Sequence, residues 1–172
     1  MSSNTMADMK HIFYPKSVSI IVASNREGSF GRLFLDGFIR MGFKEIYPVH
    51  PREKELAGLK AYPSIKEVPV DIDLAILIIP QGESLRVVQE CCDKGVKGIV
   101  LFAAGFREKG EEGKKLEEQM ARILHQSGSR MIGPNTNGLY SPAARLLALP
   151  GSLTAGGLPV ETGPLSVFAQ SG

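Results

Sequence analysis

The residues best suited to chemistry lie in short loops rich in Gly, Pro, Asn and basic side chains. The first loop reads Ser24-Asn25-Arg26-Glu27-Gly28-Ser29-Phe30-Gly31. Glycines there let a backbone approach a phosphate, and the start of a following helix offers unpaired N–H groups and positive partial charge. Arg26 adds a charge-assisted donor. The second loop reads Val49-His50-Pro51-Arg52-Glu53-Lys54. A site for NAD wants Asp or Glu at this point, to accept from the ribose hydroxyls. Arg52 and Lys54 suit a phosphate instead, such as the 3′-phosphate of coenzyme A or the 2′-phosphate of NADP; ordinary surface cations have the same appearance. Three more turns follow: Ile79-Pro80-Gln81-Gly82, Ala103-Ala104-Gly105-Phe106 and Gly133-Pro134-Asn135-Thr136-Asn137-Gly138. Small residues in such turns leave room for a flat ring or a thin arm, and the last turn can aim several backbone groups at one ligand.

Several chemistries are excluded. Neither G-x-G-x-x-G nor G-x-x-x-x-G-K-[ST] occurs, which argues against a P-loop nucleotidase. Nothing resembles G-x-S-x-G. His11, His50 and His125 are scattered, no two stand at metal-ligand spacing, and there is no Cys-x-x-Cys.

The elements that position these loops alternate between strand and helix. Ser17 to Ala23 is a short β-branched run typical of a buried parallel strand. Leu33, Phe34, Phe38 and Met41 then share one helical face, with Gly42 suited to the stop. A second strand runs from Glu45 to Val49, followed by proline-punctuated loop with a short strand at Leu59 to Ala61. Leu74 to Ile79 is the next strand. A helix carrying Leu85, Val88 and Cys92 on one face ends near Gly95. Gly98 to Ala103 is a further strand. The helix with Leu116, Met120, Ile123 and Leu124 ends at Gly128, and Arg130 to Ile132 is the last short strand. This order predicts an α/β fold, a Rossmann-like doubly wound parallel sheet with helices on both faces. Right-handed crossovers bring the strand C-termini to one edge, where open α/β sheets bind ligands. Each loop singled out above follows a strand, so all of them converge there.

The chain has 172 residues, 43% hydrophobic and 22% charged, which fits about one globular domain. Net charge is +2, too small to imply nucleic acid or an anionic membrane. Lys114-Lys115 is answered by Glu117-Glu118 and reads as a solvated helix face. The two cysteines, Cys91 and Cys92, are adjacent. They cannot staple distant segments, so a reducing compartment is expected, with one thiol buried and one at the helix edge. No apolar run approaches the about 20 residues of a membrane span, and the polar start lacks a signal core, so the expected location is cytoplasmic. Residues 1–12 are expected to be a flexible start, 13–142 the Rossmann-like domain, and 143–163 a Gly/Pro-rich extended linker. Residues 164–172 read as the first strand of a truncated second domain. Exposed edges on that strand would favour a homo-oligomer.

Taken in order, the loops resemble the coenzyme A-binding domain of NDP-forming (ADP-forming) acyl-CoA synthetases, similar to the N-terminal part of the succinyl-CoA synthetase alpha subunit. The resemblance rests on Phe13 to Val18, Ala23 to Ser29, Tyr47 to Pro51, Gly58 to Ile65, Asp73 to Ala75, Ala104 to Phe106 and Gly133 to Asn135, with Ser166 to Gly172 similar to the opening of the second domain. It implies that coenzyme A is the ligand and that acyl-CoA, phosphate and a nucleoside diphosphate are exchanged for acid, coenzyme A and a nucleoside triphosphate. By this resemblance Ser24, Asn25, Arg26, Gly28 and Ser29 meet the nucleotide phosphates, and Pro51 and Arg52 the 3′-phosphate. Ile79 and Pro80 border the adenine, while Ala104, Gly105, Phe106 and Asn135 border the pantetheine arm. The phosphorylated histidine of the family belongs to the following domain. The chain is therefore expected to be part of an acid-thiol ligase that holds the ligand without catalysing, beside other domains or subunits.

The chain departs from the family pattern at Val22, where Gly is usual, at His50, where Asn is usual, and at Thr136, where Cys is usual. Valine adopts a positive φ with difficulty, and its branches stand where a phosphate loop wants empty space. Two other readings stay open: a module binding NADP for redox chemistry, and a degenerate scaffold that docks other domains.

Overall fold

Strand-forming runs of Val, Ile and Leu build a five-stranded sheet in the computed structural model, which describes residues 5–22, 25–149 and 161–163. Its strands are β1 (Val18–Ile21), β2 (Ile46–Val49), β5 (Leu74–Leu77), β6 (Gly98–Leu101) and β7 (Arg130–Ile132). They lie in the order β2-β1-β5-β6-β7, and every pairing is parallel. The helices are α1 (Thr5–Phe13), α2 (Phe30–Arg40), α3 (Gln81–Lys94) and α4 (Glu111–Ser127). Two small antiparallel pairs complete the fold: β3 (Glu55–Leu56) with β4 (Leu59–Lys60), and β8 (Leu139–Ser141) with β9 (Leu146–Ala148).

Side chains alternate across a strand, so the sheet divides its apolar residues between two cores. Ile20, Ile76 and Val100 face one way, into a cluster with Ile12, Phe34, Phe38 and Leu146. Leu77, Ile99 and Leu101 face the other way and meet Val88, Cys91, Met120 and Leu124 of α3 and α4. Both faces are covered, as the fold class demands. The order reverses between β1 and β5, since the chain leaves β1 toward β2 and returns to β5 on the other side. A crevice forms at such a switch point, outside the strand C-termini.

The sequence expectations hold for the sheet and its helices, with shifted ends. Three strands stop earlier than expected, at Ile21, Leu77 and Leu101, because the residues beyond them turn out of the ladder at the C-terminal edge of the sheet. The start of the chain differs from expectation: in place of a flexible segment, α1 packs on the sheet with Ile12 fully buried and Met9 beside it. Met9 and Ile12 stand three apart on one face, the spacing of a helix that buries a stripe. The described start of the expected 143–163 linker also differs from expectation. Leu146, Leu147 and Ala148 are buried strand residues that pair with β8, because this apolar triplet covers α2. Both Cys91 and Cys92 are buried, where one had been expected at the helix edge. Burial in the apolar core pushes the Cys91 thiol well above its ordinary range, so it behaves as a packing residue. The strand expected at Leu165 to Ala169 lies outside the described residues.

Candidate functional site

The loops after β1, β2, β5, β6 and β7 all open at one edge of the sheet. Val22, the first residue after β1, takes a φ of +62°. A β-branched residue is strained there. The turn persists because the Val22 N–H donates to the Val49 carbonyl at 2.9 Å, extending the β1–β2 ladder by one bond. Ala23 and Ser24 lie outside the described residues.

Beyond them, Asn25 acts as a staple. Its Nδ2 donates to the Glu55 carbonyl at 3.0 Å, and its Oδ1 accepts the Ala57 N–H at 3.1 Å. The first loop is thereby fixed to the β3–β4 turn. Ser29 caps α2: its Oγ accepts the Arg32 N–H at 3.3 Å and donates to the Arg26 carbonyl at 2.7 Å. Such a cap orients the first turn of the helix toward the edge. Arg26 and Gly28 are exposed in this turn, with Gly28 at positive φ.

After β2, the His50 ring does the work of a short amide. Its Nδ1 accepts the Arg52 N–H at 3.2 Å and the Glu53 N–H at 2.9 Å. That bond pattern fixes a tautomer with Nδ1 unprotonated. Pro51, Arg52 and Lys54 are exposed on the resulting turn.

A cavity of about 450 Å³ occupies the edge on the α2 side of the sheet. One wall is aromatic: Phe30 and Phe34 from α2, and Phe102 after β6. The rings of Phe34 and Phe102 are 4.6 Å apart and tilted, a favourable aromatic pair. Ile78, Ile79, Pro80 and Ala103 form the floor, and Asn135, Thr136 and Asn137 supply a polar side. Asn135 has a φ of +55° and donates its N–H to the Ala103 carbonyl at 2.9 Å. Thr136 Oγ1 accepts the Gly138 N–H at 3.1 Å. Gly133 brings this turn against the end of β6. Its φ is +100°, and a Cβ there would stand 2.3 Å from the Leu101 carbonyl oxygen.

Of the sequence-predicted residues, Ile79, Pro80 and Asn135 line the cavity. The Ala104-Gly105-Phe106 turn is arranged differently from a simple ligand cradle. Phe106 is buried in the core beside α3 and α4. The Gly105 N–H is already given to Glu108 Oε1 at 2.6 Å, and its carbonyl accepts from Gln81 Nε2 at 3.0 Å. This N–H holds the Glu108 carboxyl below its usual range, together with the backbone N–H groups of Glu108 and Phe106. Sequence reasoning did not single out Phe30, Phe34 or Phe102 as site residues, nor Gln81 or Glu108 as its supports. The signal for the aromatic wall was the i, i+4 spacing of Phe30 and Phe34, which carries an apolar row off the core face and up to the helix start. Among the described residues no His, Cys, Asp and Glu cluster could hold a metal, and no helix is long and apolar enough to cross a membrane.

An open parallel sheet with its crevice at the strand C-termini and helix-start loops around it defines a Rossmann-like ligand-binding domain. Residues 16–142 match the family described as the CoA binding domain, and the chain belongs to that family. Over 140 residues it is 40% identical to the alpha subunit of acetate–CoA ligase (ADP-forming) II from Pyrococcus furiosus, covering 81% of this chain and 31% of that protein. It is 38% identical to an ADP-forming acetate–CoA ligase of Methanocaldococcus jannaschii, covering 96% of this chain and 22% of that protein. Among solved structures, PH0766 from Pyrococcus horikoshii superposes with a TM-score of 0.78 at 38% identity, over 82% of this chain and 32% of that one. The dinucleotide-forming acetyl-coenzyme A synthetase 1 of Ca. Korarchaeum cryptofilum, solved with phosphate and ADP, gives 0.76 at 37% identity, over 82% and 30%. The chain thus spans about a third or less of the length of these relatives.

Proposed function

We propose that this chain binds coenzyme A or an acyl-CoA, as the ligand-holding part of an ADP-forming acyl-CoA synthetase. The observation that carries the reading is the cavity at the strand C-termini, bordered by the capped start of α2, at the same edge of the sheet as the loops that carry the exposed cations Arg26, Arg52 and Lys54. Membership of the CoA binding domain family supports the same ligand. In this reading Arg26 and the α2 N-terminus face the pyrophosphate, and Arg52 with Lys54 faces the 3′-phosphate. The arm of the ligand runs past Ile79, Ala103 and Asn135, which line one cavity; this reading gives Ile79 to the arm, whereas the resemblance gives it to the adenine.

The whole reaction would convert an acyl-CoA and phosphate into an acyl phosphate and free coenzyme A, pass the phosphoryl group to a histidine with release of the free acid, and then pass it on to ADP to give ATP. The three histidines of this chain do not suit the carrier role. His11 bonds to Asp73, His50 is committed to its turn, and His125 is an exposed residue of α4. This chain holds and orients the ligand, and other parts of the synthetase do the chemistry.

Calorimetric titration of the purified, folded chain tests the reading, with coenzyme A, 3′-dephospho-coenzyme A and NADP as ligands. Saturable binding of coenzyme A, weakened about tenfold without the 3′-phosphate or in Arg52→Ala, is the expected result. Heat with NADP alone would turn the reading toward a redox module. No heat with any of the three would overturn ligand binding in favour of a scaffold.

A further inference from the structure

Resting on the coenzyme A reading, we propose that Phe30 is a positioning residue that closes over the pantetheine arm and holds it lengthwise in the cavity. Phe30 is 59% exposed, although it is a large apolar side chain. Among the described residues, Phe13, Tyr14, Val22, Ile39 and Val70 are exposed as well, but Phe30 is the one of these that lines the cavity. Its backbone is not loose. It is the first residue of α2, directly after the Ser29 cap. One turn on, Phe34 lies below it in the core, locked against Phe102. The exposed ring is therefore mounted on a rigid element, at the mouth of a slot whose inner wall is also aromatic.

The extent of the slot's lining points to what the ring covers. Apart from Phe30 and Phe34 of α2, that lining comes from the loops that follow three neighbouring strands, β5, β6 and β7. Strands lie about 4.8 Å apart, so the slot runs roughly 10 Å along the sheet edge. That length suits an extended arm better than a compact purine. Pantetheine is such an arm, with two amides and a geminal dimethyl group. The amides match the side chains of Asn135 and Asn137, and the dimethyl group matches a phenyl face. Binding then covers the apolar surface that Phe30 otherwise leaves in water.

The test compares coenzyme A with adenosine 3′,5′-bisphosphate, which lacks the arm, on wild type, Phe30→Ala and Phe30→Leu. Because the ring is exposed, both variants should melt within a few degrees of wild type. Phe30→Ala should lose about tenfold in coenzyme A affinity and keep its affinity for the bisphosphate. Phe30→Leu should recover part of the loss. Unchanged coenzyme A affinity in Phe30→Ala overturns the inference while the coenzyme A reading stands. Equal losses for both ligands also overturn it, because the ring would then cover the nucleotide. A wild-type chain that takes neither ligand overturns the reading and the inference together.

Discussion

At the edge of the sheet where its strands begin, side chains hold the chain together. Asp73 Oδ1 is 2.8 Å from His11 Nδ1 of α1, and its Oδ2 accepts the Lys16 N–H at 2.8 Å. Ser17 Oγ donates to the Asp71 carbonyl and accepts the Asp73 N–H at 2.9 Å. At the opposite edge the backbone itself makes the shape. Val22, Gly105, Gly133, Asn135 and Gly138 all have positive φ there. The strand-start edge is an anchor, with its polar groups partnered. The strand-end edge is an open crevice whose left-handed turns, strained only at the non-glycine Val22 and Asn135, leave space for something else. The difference teaches where each edge is vulnerable: the anchor to truncation of side chains, the crevice to atoms added near the backbone.

The largest effect should follow from adding one methyl group at the crevice. Gly133→Ala puts a Cβ into the Leu101 carbonyl and forces an L residue to a left-handed φ. A loss of about 3 kcal/mol or more is expected, read from the denaturant midpoint. A variant as stable as wild type would mean that the turn is not pressed on β6. Next comes the anchor. Asp73→Ala removes the acceptor of His11 and Lys16, and should cost about 2 kcal/mol. Faster amide exchange in α1 than in α3 would localise the damage, and uniform exchange would count against the clamp.

A gain is expected at Val22. Relief of left-handed strain is worth about 1–2 kcal/mol, and glycine's extra freedom in the unfolded chain cancels about half of it. Val22→Gly should therefore melt a few degrees higher. Coenzyme A affinity that rises with it would show that the valine branches also obstruct the phosphate loop. The smallest effect concerns acid. Glu108 has its carboxyl lowered by the Gly105 N–H and by neighbouring N–H groups, so its contribution is present above the usual carboxylate value. That contribution fades as the pH falls through the lowered folded value. Glu108→Gln should flatten this part of the acid limb of a stability curve. An unchanged acid limb would show that the carboxylate adds nothing to the 105–108 turn.

The sheet was legible because each buried strand is a run of β-branched and apolar residues closed by small turn residues, and each helix repeats apolar positions at helical spacing. Gly95 and Gly128 stand where the helix stops were expected. The hairpin of β8 and β9 was not legible, since Leu146-Leu147-Ala148 is too short to show a period. The N-terminal helix was hidden in a polar stretch whose burial depends on a few residues such as Ile12. At the site, sequence reasoning found the loops but not the division of labour within them. It could mark Gly105 as a small residue in a turn, but not foresee that Glu108 and Gln81 already hold both of its backbone groups. It likewise counted Phe34 toward a helix core face, whereas that side chain also forms the inner wall of the cavity.

The outer strand β2 carries a consequence of another kind. Pro48 within it has no N–H to offer a newcomer. Alongside, the Tyr62 N–H already bonds to the Pro48 carbonyl, and the Tyr62 carbonyl accepts the His50 N–H. A second chain arriving at this flank finds these main-chain groups taken, so the sheet cannot lengthen there into an aggregate by adding a strand. Any association of copies across this flank must be made by side chains.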